Sequence, residues 1–305
     1  MSVPKMSNIL LEVGTNELEV MEFRIDGRSF GINVAKVTEV MKYEEITPIP
    51  HANPFIEGIF KPRGQIITVL NLPSYLGLSE SQKPDWDILI ITNFNKNHTA
   101  FHVHSIENIH KISWTQIEKP DETITGGQDG IVTGIARLDG RLITILDFEK
   151  IMAELNPAHS IKIQDLGDTS NRKRSEKPIF VVEDSPFLRK TLLECLHKAN
   201  YVNTLTFPTG QDAWEALSSL TDEDMQNLNE NVACVVTDIE MPQMDGHTLC
   251  KKIKDHKYLK QLPVIMFSSL ISEEMEKKGR TVGADAQLSK PEIAQLVNLI
   301  DKFIL

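Results

Sequence analysis

The C-terminal part of the chain, residues 177–305, alternates apolar runs with segments of helical periodicity. Five apolar runs predict strands, namely PIFVV (178–182), YVNTLTF (201–207), VACVVTD (232–238), LPVIMFSS (262–269) and AQLS (286–289). Segments with the character of helices follow them at 185–200, 209–220, 245–256, around 273–280 and at 292–305. Strands that alternate with helices favour a parallel sheet covered on both faces, so the pattern predicts a doubly wound α/β domain.

Polar residues cluster where these apolar strands end. The strand ends carry Glu183-Asp184, Asp238, Ser268-Ser269 and Lys290-Pro291. The carboxyl ends of parallel strands meet at one edge of a sheet, where three carboxylates would repel one another unless a cation lay among them. A site with oxygen ligands and an open position for a phosphate is typical of Mg²⁺. A lysine ammonium and a serine hydroxyl can bind the oxygens of a transferred phosphoryl group.

Each of these residues alone has an ordinary structural explanation. Asp184 could cap the following helix, Lys290 could be a surface lysine, and Ser268 could simply end its strand. Their order on successive strands makes the set specific, and over about residues 177–305 it resembles the receiver domain of two-component response regulators.

That resemblance implies a role for each residue of the set. Asp238 would be the phosphoacceptor, Mg²⁺ would be held by Glu183, Asp184, Asp238 and the backbone carbonyl of Glu240, and Ser268 and Lys290 would contact the phosphoryl group. The Lys290–Pro291 bond would be cis. One position departs from the family, because Gln287 stands where many receivers carry a switch aromatic, and this puts the form of the output in doubt.

The first part of the chain, residues 17–155, consists mainly of short strand patterns. ELEVMEFRI and RSFGINV are joined by Asp26-Gly27, which is a hairpin signature. A longer segment repeats, since GIFKPRGQIITVLNL (58–72) aligns without a gap with GIARLDGRLITILDF (134–148). An internal duplication of strand–turn–strand units predicts two similar small β-barrels packed as one domain.

This first part shows no catalytic constellation. His98, His102, His104 and His110 lie close together in sequence, and His102 and His104 would share one strand face. A metal site is an alternative, but no cysteine or carboxylate pattern completes it, so solvent-facing or partly buried histidines are favoured. A barrel domain without such a site is expected to work by presenting a surface.

The strand and turn patterns of 17–155 resemble CheW, a family with a pair of SH3-like barrels that bridges the cytoplasmic tips of chemoreceptors to the histidine kinase CheA. The Arg63-Gly64 pair before an apolar strand is the most specific feature, and the resemblance places Arg63 near the receptor-facing surface. The alternative is that Arg63 only orients a turn. Lys61-Pro62 departs from the Asn-Leu that the family more often has there, so details of the contact are expected to differ.

The two domain patterns and the polar segment between them divide the chain into four parts. Residues 1–16 form a lead-in, 17–155 the CheW-like domain, 156–176 an exposed polar linker and 177–305 the receiver. The lead-in is a short amphipathic segment that packs on the barrel or binds a partner. The basic run at 172–174 within the linker is expected to be solvated charge and not a nucleic-acid patch.

Charge and composition narrow the function further. The formal net charge of the 305 residues is −11; up to Ser170 there are 15 Lys and Arg against 23 Asp and Glu (−8), and after it 17 against 20 (−3). Neither half offers the basic surface that nucleic-acid binding requires. No apolar run approaches a membrane span, so we expect a cytoplasmic protein without direct membrane insertion. The three cysteines, Cys195, Cys234 and Cys250, are expected to be buried free thiols, with a metal or redox role as the alternative.

A coupling domain joined to a receiver resembles the CheV family. The resemblance implies a non-enzymatic chemotaxis adaptor at membrane-associated receptor arrays, tuned by Mg²⁺-dependent phosphorylation of Asp238 and able to lose its own phosphoryl group. The main alternative is a phosphate sink that drains phosphoryl groups from the kinase and a motility response regulator. Two weaker alternatives belong to other classes. One is an aspartate-based phosphotransferase or phosphatase, which is expected to show a second acid close by. The other is a DNA-binding regulator, which would need a third, basic domain.

Overall fold

A computed structural model describes residues 17–94, 97–113, 116–118, 130–138, 140–157, 160–170, 172–241, 243–269 and 273–305. The lead-in at 1–16 lies outside the described residues. The strands of the first domain are β1 Glu17–Ile25, β2 Arg28–Asn33, β3 Val37–Lys42, β4 Ile56–Phe60, β5 Ile67–Asn71, β6 Ile88–Phe94, β7 Asn97–Val103, β8 Ser105–Ser113, β9 Ile117–Glu118, β10 Val132–Leu138 and β11 Arg141–Leu146. Its helices are α1 Leu72–Tyr75 and α2 Phe148–Leu155.

The sequence repeat folds into two equivalent hairpins. In the first copy β4 pairs with β5 and Ile59 lies opposite Thr68; in the second copy β10 pairs with β11 and Ile135 lies opposite Thr144. These partners are the same positions of the repeat, so the two hairpins have the same register. Identical spacing of apolar residues and turn glycine fixes this register, because a one-residue slip would turn every side chain to the other face.

Each hairpin sits in its own sheet with the same neighbour relations. One sheet has the order β3-β6-β7-β5-β4 and the other β8-β1-β2-β11-β10-β9. In both, the second strand of the hairpin pairs in parallel with a strand from elsewhere, β5 with β7 and β11 with β2. The prediction of two similar β units in one domain is therefore confirmed.

The first domain also contains a helix that the all-β expectation did not include. Asp147 is the second-last residue of the second repeat copy, and its Oδ1 accepts a hydrogen bond from the backbone NH of Lys150 at 3.0 Å, which caps α2. The corresponding residue of the first copy, Asn71, caps the four-residue helix α1 in the same way. A side-chain acceptor at the end of a strand suffices to start a helix, because it satisfies one of the unpaired backbone NH groups.

Among the four histidines, His102 is enclosed by two carboxylates. Its Nδ1 lies 2.7 Å from Glu57 Oε1 and its Nε2 2.8 Å from Asp87 Oδ2, and the ring is buried. Burial alone would lower the pKa of His102, but the hydrogen bonds and charges of Glu57 and Asp87 outweigh it and raise the pKa. His102 is thus a buried histidine satisfied by ion pairs, which agrees with the structural interpretation of this cluster.

The second domain is a single parallel sheet with helices on both faces. Its strands are β12 Ile179–Val182, β13 Thr204–Phe207, β14 Cys234–Thr237, β15 Val264–Ser268 and β16 Ala286–Ser289. Its helices are α3 Pro186–Lys198, α4 Gly210–Ser218, α5 Asp222–Gln226, α6 Leu228–Asn231, α7 Gly246–Asp255, α8 Glu273–Thr281 and α9 Ile293–Ile304. The strand order β13-β12-β14-β15-β16 confirms the doubly wound sheet. The short helices α5 and α6 were not predicted, because neither is long enough to show a period.

The segment between the domains is exposed at many positions, as its polar composition predicts, but part of it packs against the second domain. Ile161 is buried in the hydrophobic core of the second domain, with Leu166 packed against it. Arg172 donates to both carboxylate oxygens of Asp301 at 2.7 Å and lies over the ring of Tyr201. The prediction of solvated charge at 172–174 is therefore wrong for Arg172, whose partners on α9 and on the loop before β13 are distant in sequence.

The cysteines and the apolar content agree with the sequence interpretation. Cys195, Cys234 and Cys250 are free and buried, which confirms the expectation of buried thiols. Within the described part of the chain, no helix combines the length and the apolar character that a membrane span requires.

The enclosed histidine gives a testable pH dependence. The raised pKa of His102 means that the folded state binds this proton more tightly than the unfolded state, whose histidine has a pKa of about 6.5. Its contribution to stability is therefore complete below about pH 6.5 and is lost as the pH rises through the folded pKa. Urea unfolding of the wild type and of His102→Gln between pH 5.5 and 9 should show a difference in unfolding free energy that shrinks with rising pH. The exposed His51→Asn is the control, and a pH-independent difference for His102→Gln would contradict the assignment.

Candidate functional site

The carboxyl edge of the parallel sheet gathers the residues that the sequence pattern selects. Glu183 and Asp184 follow β12, Asp238 follows β14, Ser268 ends β15 and Lys290 follows β16. Because β12, β14, β15 and β16 are consecutive neighbours in the sheet, their ends lie side by side. Asp238 is only 3% exposed and Ser268 only 2%. The structure therefore brings the predicted site residues into one buried pocket.

Lys290 joins the acidic residues of this pocket. Its Nζ lies 2.7 Å from Glu183 Oε2 and 3.1 Å from Asp238 Oδ2, and all three side chains are buried. Burial alone would lower the pKa of Lys290, but the negative charges of Asp238 and Glu183 raise it well above its usual value, so the ammonium stays charged. The peptide bond that follows, Lys290–Pro291, is cis, as the resemblance implies.

The loop after Asp238 holds its carboxylate in place. Asp238 Oδ1 accepts a hydrogen bond from the backbone NH of Ile239 at 2.6 Å, and the loop closes where the NH of Gly246 donates to the carbonyl of Ile239 at 2.9 Å. Asp245 caps α7 by accepting from the NH of Thr248 at 2.6 Å. A Cβ on Gly246 would overlap the carbonyl oxygen of Asp238, so only glycine permits this close approach.

The remaining carboxylates of the pocket, those of Asp184 and Glu240, each have a buried oxygen without a hydrogen-bond partner. Burial raises the pKa of Asp184 to about 7 and that of Glu240 to about 8, with the charge of Lys36 opposing both shifts. Asp184 Oδ1 and Glu240 Oε1 are buried and accept no hydrogen bond. Unsatisfied buried carboxylate oxygens are costly, and a hard divalent cation is the partner that suits them best. The residues present thus fit the Mg²⁺ that the receiver resemblance implies.

Gln287, at the position where many receivers carry an aromatic residue, faces helix α8. Its Nε2 donates to the carbonyl of Glu276 at 2.9 Å, and its side-chain amide occupies the space that a Cβ on Gly279 would need. Gln287 therefore connects β16 to α8 through a hydrogen bond and a close contact in place of an aromatic ring.

Three residues of the first domain lie at the same pocket, and the sequence analysis missed them. Asp147 Oδ2 accepts from the hydroxyl of Ser185 at 2.7 Å, and Glu149 forms a group of possible metal ligands with Glu183 and Asp184. Lys36, from the turn between β2 and β3, lies 3.5 Å from Glu149 Oε2. One signal for these residues was present in the sequence. Two acidic residues, Asp147 and Glu149, follow the apolar strand ITIL of the second repeat copy.

Arg63 and Gly64 are not part of this pocket. They lie in the first domain, in the turn between β4 and β5. Arg63 has φ 50° and its side chain is 79% exposed, with an ion pair from Nη2 to Glu39 Oε1 at 2.8 Å. Gly64 also has a positive φ of 91°. Two consecutive left-handed residues make a tight turn that presents the guanidinium to solvent.

The close approach at Gly246 predicts the effect of one methyl group. Gly246→Ala should lower the unfolding free energy of the second domain by about 2 kcal/mol or more, because the loop that carries Asp238 must move. Chemical unfolding followed by Trp214 fluorescence measures this. Gly27→Ala, at a turn where a Cβ meets no atom within 4 Å but φ is 72°, should cost about 1 kcal/mol. Equal losses in the two variants would show that the contact with Asp238 is not the cause.

Comparisons with known proteins agree with both domains. Residues 19–156 match the model of the CheW-like domain, and residues 179–301 match that of the response regulator receiver domain. Chemotaxis protein CheV3 of Helicobacter pylori is 30% identical over 301 residues, which cover 95% of each chain. Chemotaxis protein CheW of Thermotoga maritima is 31% identical over 139 residues, 46% of this chain and 90% of that protein.

Among solved structures, the scaffolding protein CheW of Thermoanaerobacter tengcongensis is 29% identical to this chain. The match covers 43% of this chain and 88% of that protein, with a TM-score of 0.40. The match to CheV3 extends over both of these regions of the chain. The chain therefore belongs to the CheV family of chemotaxis proteins, with a CheW-like domain followed by a response regulator receiver domain.

Proposed function

We propose that this protein is a non-enzymatic adaptor that couples chemoreceptors to the histidine kinase CheA and that phosphorylation of Asp238 tunes this coupling. The observation that carries the proposal is the pocket around Asp238, with Lys290 3.1 Å from its carboxylate, in a chain whose other domain is CheW-like. Its place in the cell is the chemoreceptor array, to which the CheW-like domain recruits it.

The chemistry of the pocket follows from its residues. A carboxylate oxygen of Asp238 attacks the phosphorus of a phosphohistidine on the kinase, the N–P bond breaks, and the imidazole leaves and takes up a proton. The ammonium of Lys290 neutralises negative charge on the phosphoryl group, and the hydroxyl of Ser268 donates a hydrogen bond to one of its oxygens. Glu183, Asp184, Asp238 and the backbone carbonyl of Glu240 would hold Mg²⁺, which supplies charge neutralisation between the carboxylates and the phosphoryl oxygens.

The output depends on how the new charge reaches the surface. Phosphorylation replaces the single negative charge of the Asp238 carboxylate with the roughly two charges of a phosphoryl group at the end of β14, and Lys290, which binds Asp238, follows β16 directly. A shift of β16 would move Gln287, whose contacts with Glu276 and Gly279 hold α8. The surface formed by α8 and β16 is therefore the element that we expect to change with phosphorylation.

Attachment to the array is assigned to the first domain. Arg63 and Gly64 form an exposed turn, and the guanidinium of Arg63 forms an ion pair with the partly exposed Glu39. A guanidinium held on a rigid turn is suited to bind a carboxylate of a partner with two parallel hydrogen bonds.

The central test is binding of the full chain to receptor tips and CheA, measured by co-sedimentation with and without a phosphoryl donor. Wild type should change its bound fraction severalfold when the donor is added, and Asp238→Ala should lose this response while still binding. Asp255→Asn, an exposed acid at the end of α7, is the control that should behave as wild type.

Other outcomes of this experiment would contradict the proposal. Absence of binding in both conditions would exclude the adaptor role. Rapid turnover of the phosphoryl group at Asp238 without any change in binding would instead favour the phosphate sink.

The role of Arg63 has its own test. Arg63→Ala should weaken binding to receptor tips about tenfold, and Arg63→Glu should weaken it more, because a bidentate charged contact contributes about 1.5–3 kcal/mol. Arg137→Ala is a matched control, since Arg137 is similarly exposed at 65% and also pairs with a glutamate, Glu118. Binding by Arg63→Glu that equals that of Arg137→Ala would show that Arg63 only orients its turn.

A further inference from the structure

The two domains meet at the phosphoacceptor pocket. Asp147, which caps α2 with one carboxylate oxygen, accepts a hydrogen bond from Ser185 Oγ with the other at 2.7 Å. Ser185 in turn caps α3 of the receiver, where its Oγ accepts from the NH of Leu188. The N-termini of α2 and α3 are therefore joined through their caps, and this contact brings the first turn of α2 to the carboxyl edge of the receiver sheet.

Glu149 lies in that first turn and enters the receiver's acidic pocket. Three carboxylate oxygens lie within 4.8 Å of one another, one from each of Glu149, Glu183 and Asp184. Glu149 is only 7% exposed, although glutamate is almost never buried without a partner. The first domain thus adds a buried carboxylate to a cluster that already contains several.

A second observation, independent of the clustering, indicates a ligand. Glu149 Oε2 is buried without a hydrogen bond, and so are Asp184 Oδ1 and Glu240 Oε1 beside it. Lys36 is the cation next to Glu149, but its Nζ stands off at 3.5 Å in a loose ion pair. Three buried oxygens without a hydrogen bond, from three elements and two domains, are the arrangement that a hard cation with several oxygen ligands would satisfy.

The balance of charge points the same way. Six carboxylates lie in or beside the pocket, and Lys36 and Lys290 oppose them. They belong to Asp147, Glu149, Glu183, Asp184, Asp238 and Glu240. When they are ionised, six carboxylates against two ammonium groups leave an excess of negative charge in a largely buried space. A divalent cation reduces that excess more than one further lysine would, and it can take ligands from both domains at once.

We propose that Glu149 of the CheW-like domain is a ligand to the divalent cation of the receiver, so that the cation bridges the two domains. This inference rests on the proposed use of a cation by the receiver and goes beyond it, because Glu149 belongs to the coupling domain. By linkage, a cation that binds Glu149 only in the docked arrangement tightens docking by the same factor by which docking tightens cation binding. The cation therefore stabilises the closed arrangement, in which the coupling domain lies against the phosphoacceptor pocket.

The test is cation affinity of the unphosphorylated full chain, measured with Mn²⁺ by electron paramagnetic resonance and with Mg²⁺ by competition. Glu149→Gln should weaken Mn²⁺ binding about fivefold or more, while Glu154→Gln, on the same helix and half-exposed, should leave it unchanged. Lys36→Met should tighten Mn²⁺ binding, because it removes the ammonium next to Glu149. Small-angle scattering should show Mg²⁺-dependent compaction in the wild type that Glu149→Gln lacks.

The outcomes separate this inference from the proposed cation use. Asp184→Asn should lose Mn²⁺ binding if the receiver holds a cation. If Asp184→Asn loses binding and Glu149→Gln keeps wild-type affinity, the bridging role of Glu149 is wrong and the receiver site stands. If the wild type binds no Mn²⁺, or if Asp184→Asn binds as the wild type does, both are wrong.

Discussion

The buried ammonium of Lys290, held between Glu183 and Asp238, is the interaction on which the functional pocket depends. It ties the ends of three strands, β12, β14 and β16, across the neighbouring β15. Removing the ammonium of Lys290 would leave two buried carboxylates uncompensated, and breaking a buried ion pair in this way costs about 3–5 kcal/mol. The positions of the strand ends, the loop after Asp238 and the glycine at 246 all serve to keep these few atoms in reach of one another.

The first domain owes its contact with this pocket to a duplicated hairpin. The second-last residue of each repeat copy caps a helix, Asn71 in one copy and Asp147 in the other. The amide of Asn71 donates to Glu57 at 2.8 Å and stays within its own barrel, whereas the carboxylate of Asp147 accepts from Ser185 of the receiver. The same structural position thus serves the barrel in one copy and joins the domains in the other.

This placement links two processes that the separate domains would carry out independently. Asp238, which we propose to be phosphorylated, is buried, and Glu149 of the domain that we assign to array attachment lies close to the neighbouring Glu183 and Asp184. On that proposal, chemistry at Asp238 and the position of the first domain affect each other. The pocket between the domains is lined from both sides, with Glu149 and Met152 from α2 and Leu188, Ser269 and Lys290 from the receiver. A change of charge there acts on an interface as well as on the receiver's own surface.

The sequence by itself determined the two domains, the doubly wound sheet, the duplicated hairpin and the set Glu183, Asp184, Asp238, Ser268 and Lys290. These follow from local periodicity and from the rule that parallel strands end at one edge, and both can be read along the chain. Three features were decided by the tertiary structure alone. Ile161 and Arg172 pack against the receiver, and His102 lies between Glu57 and Asp87. Lys36, Asp147 and Glu149 of the first domain reach the pocket around Asp238. Those contacts join residues far apart in sequence whose pairing leaves no local pattern, because it depends on how two folded domains fit together.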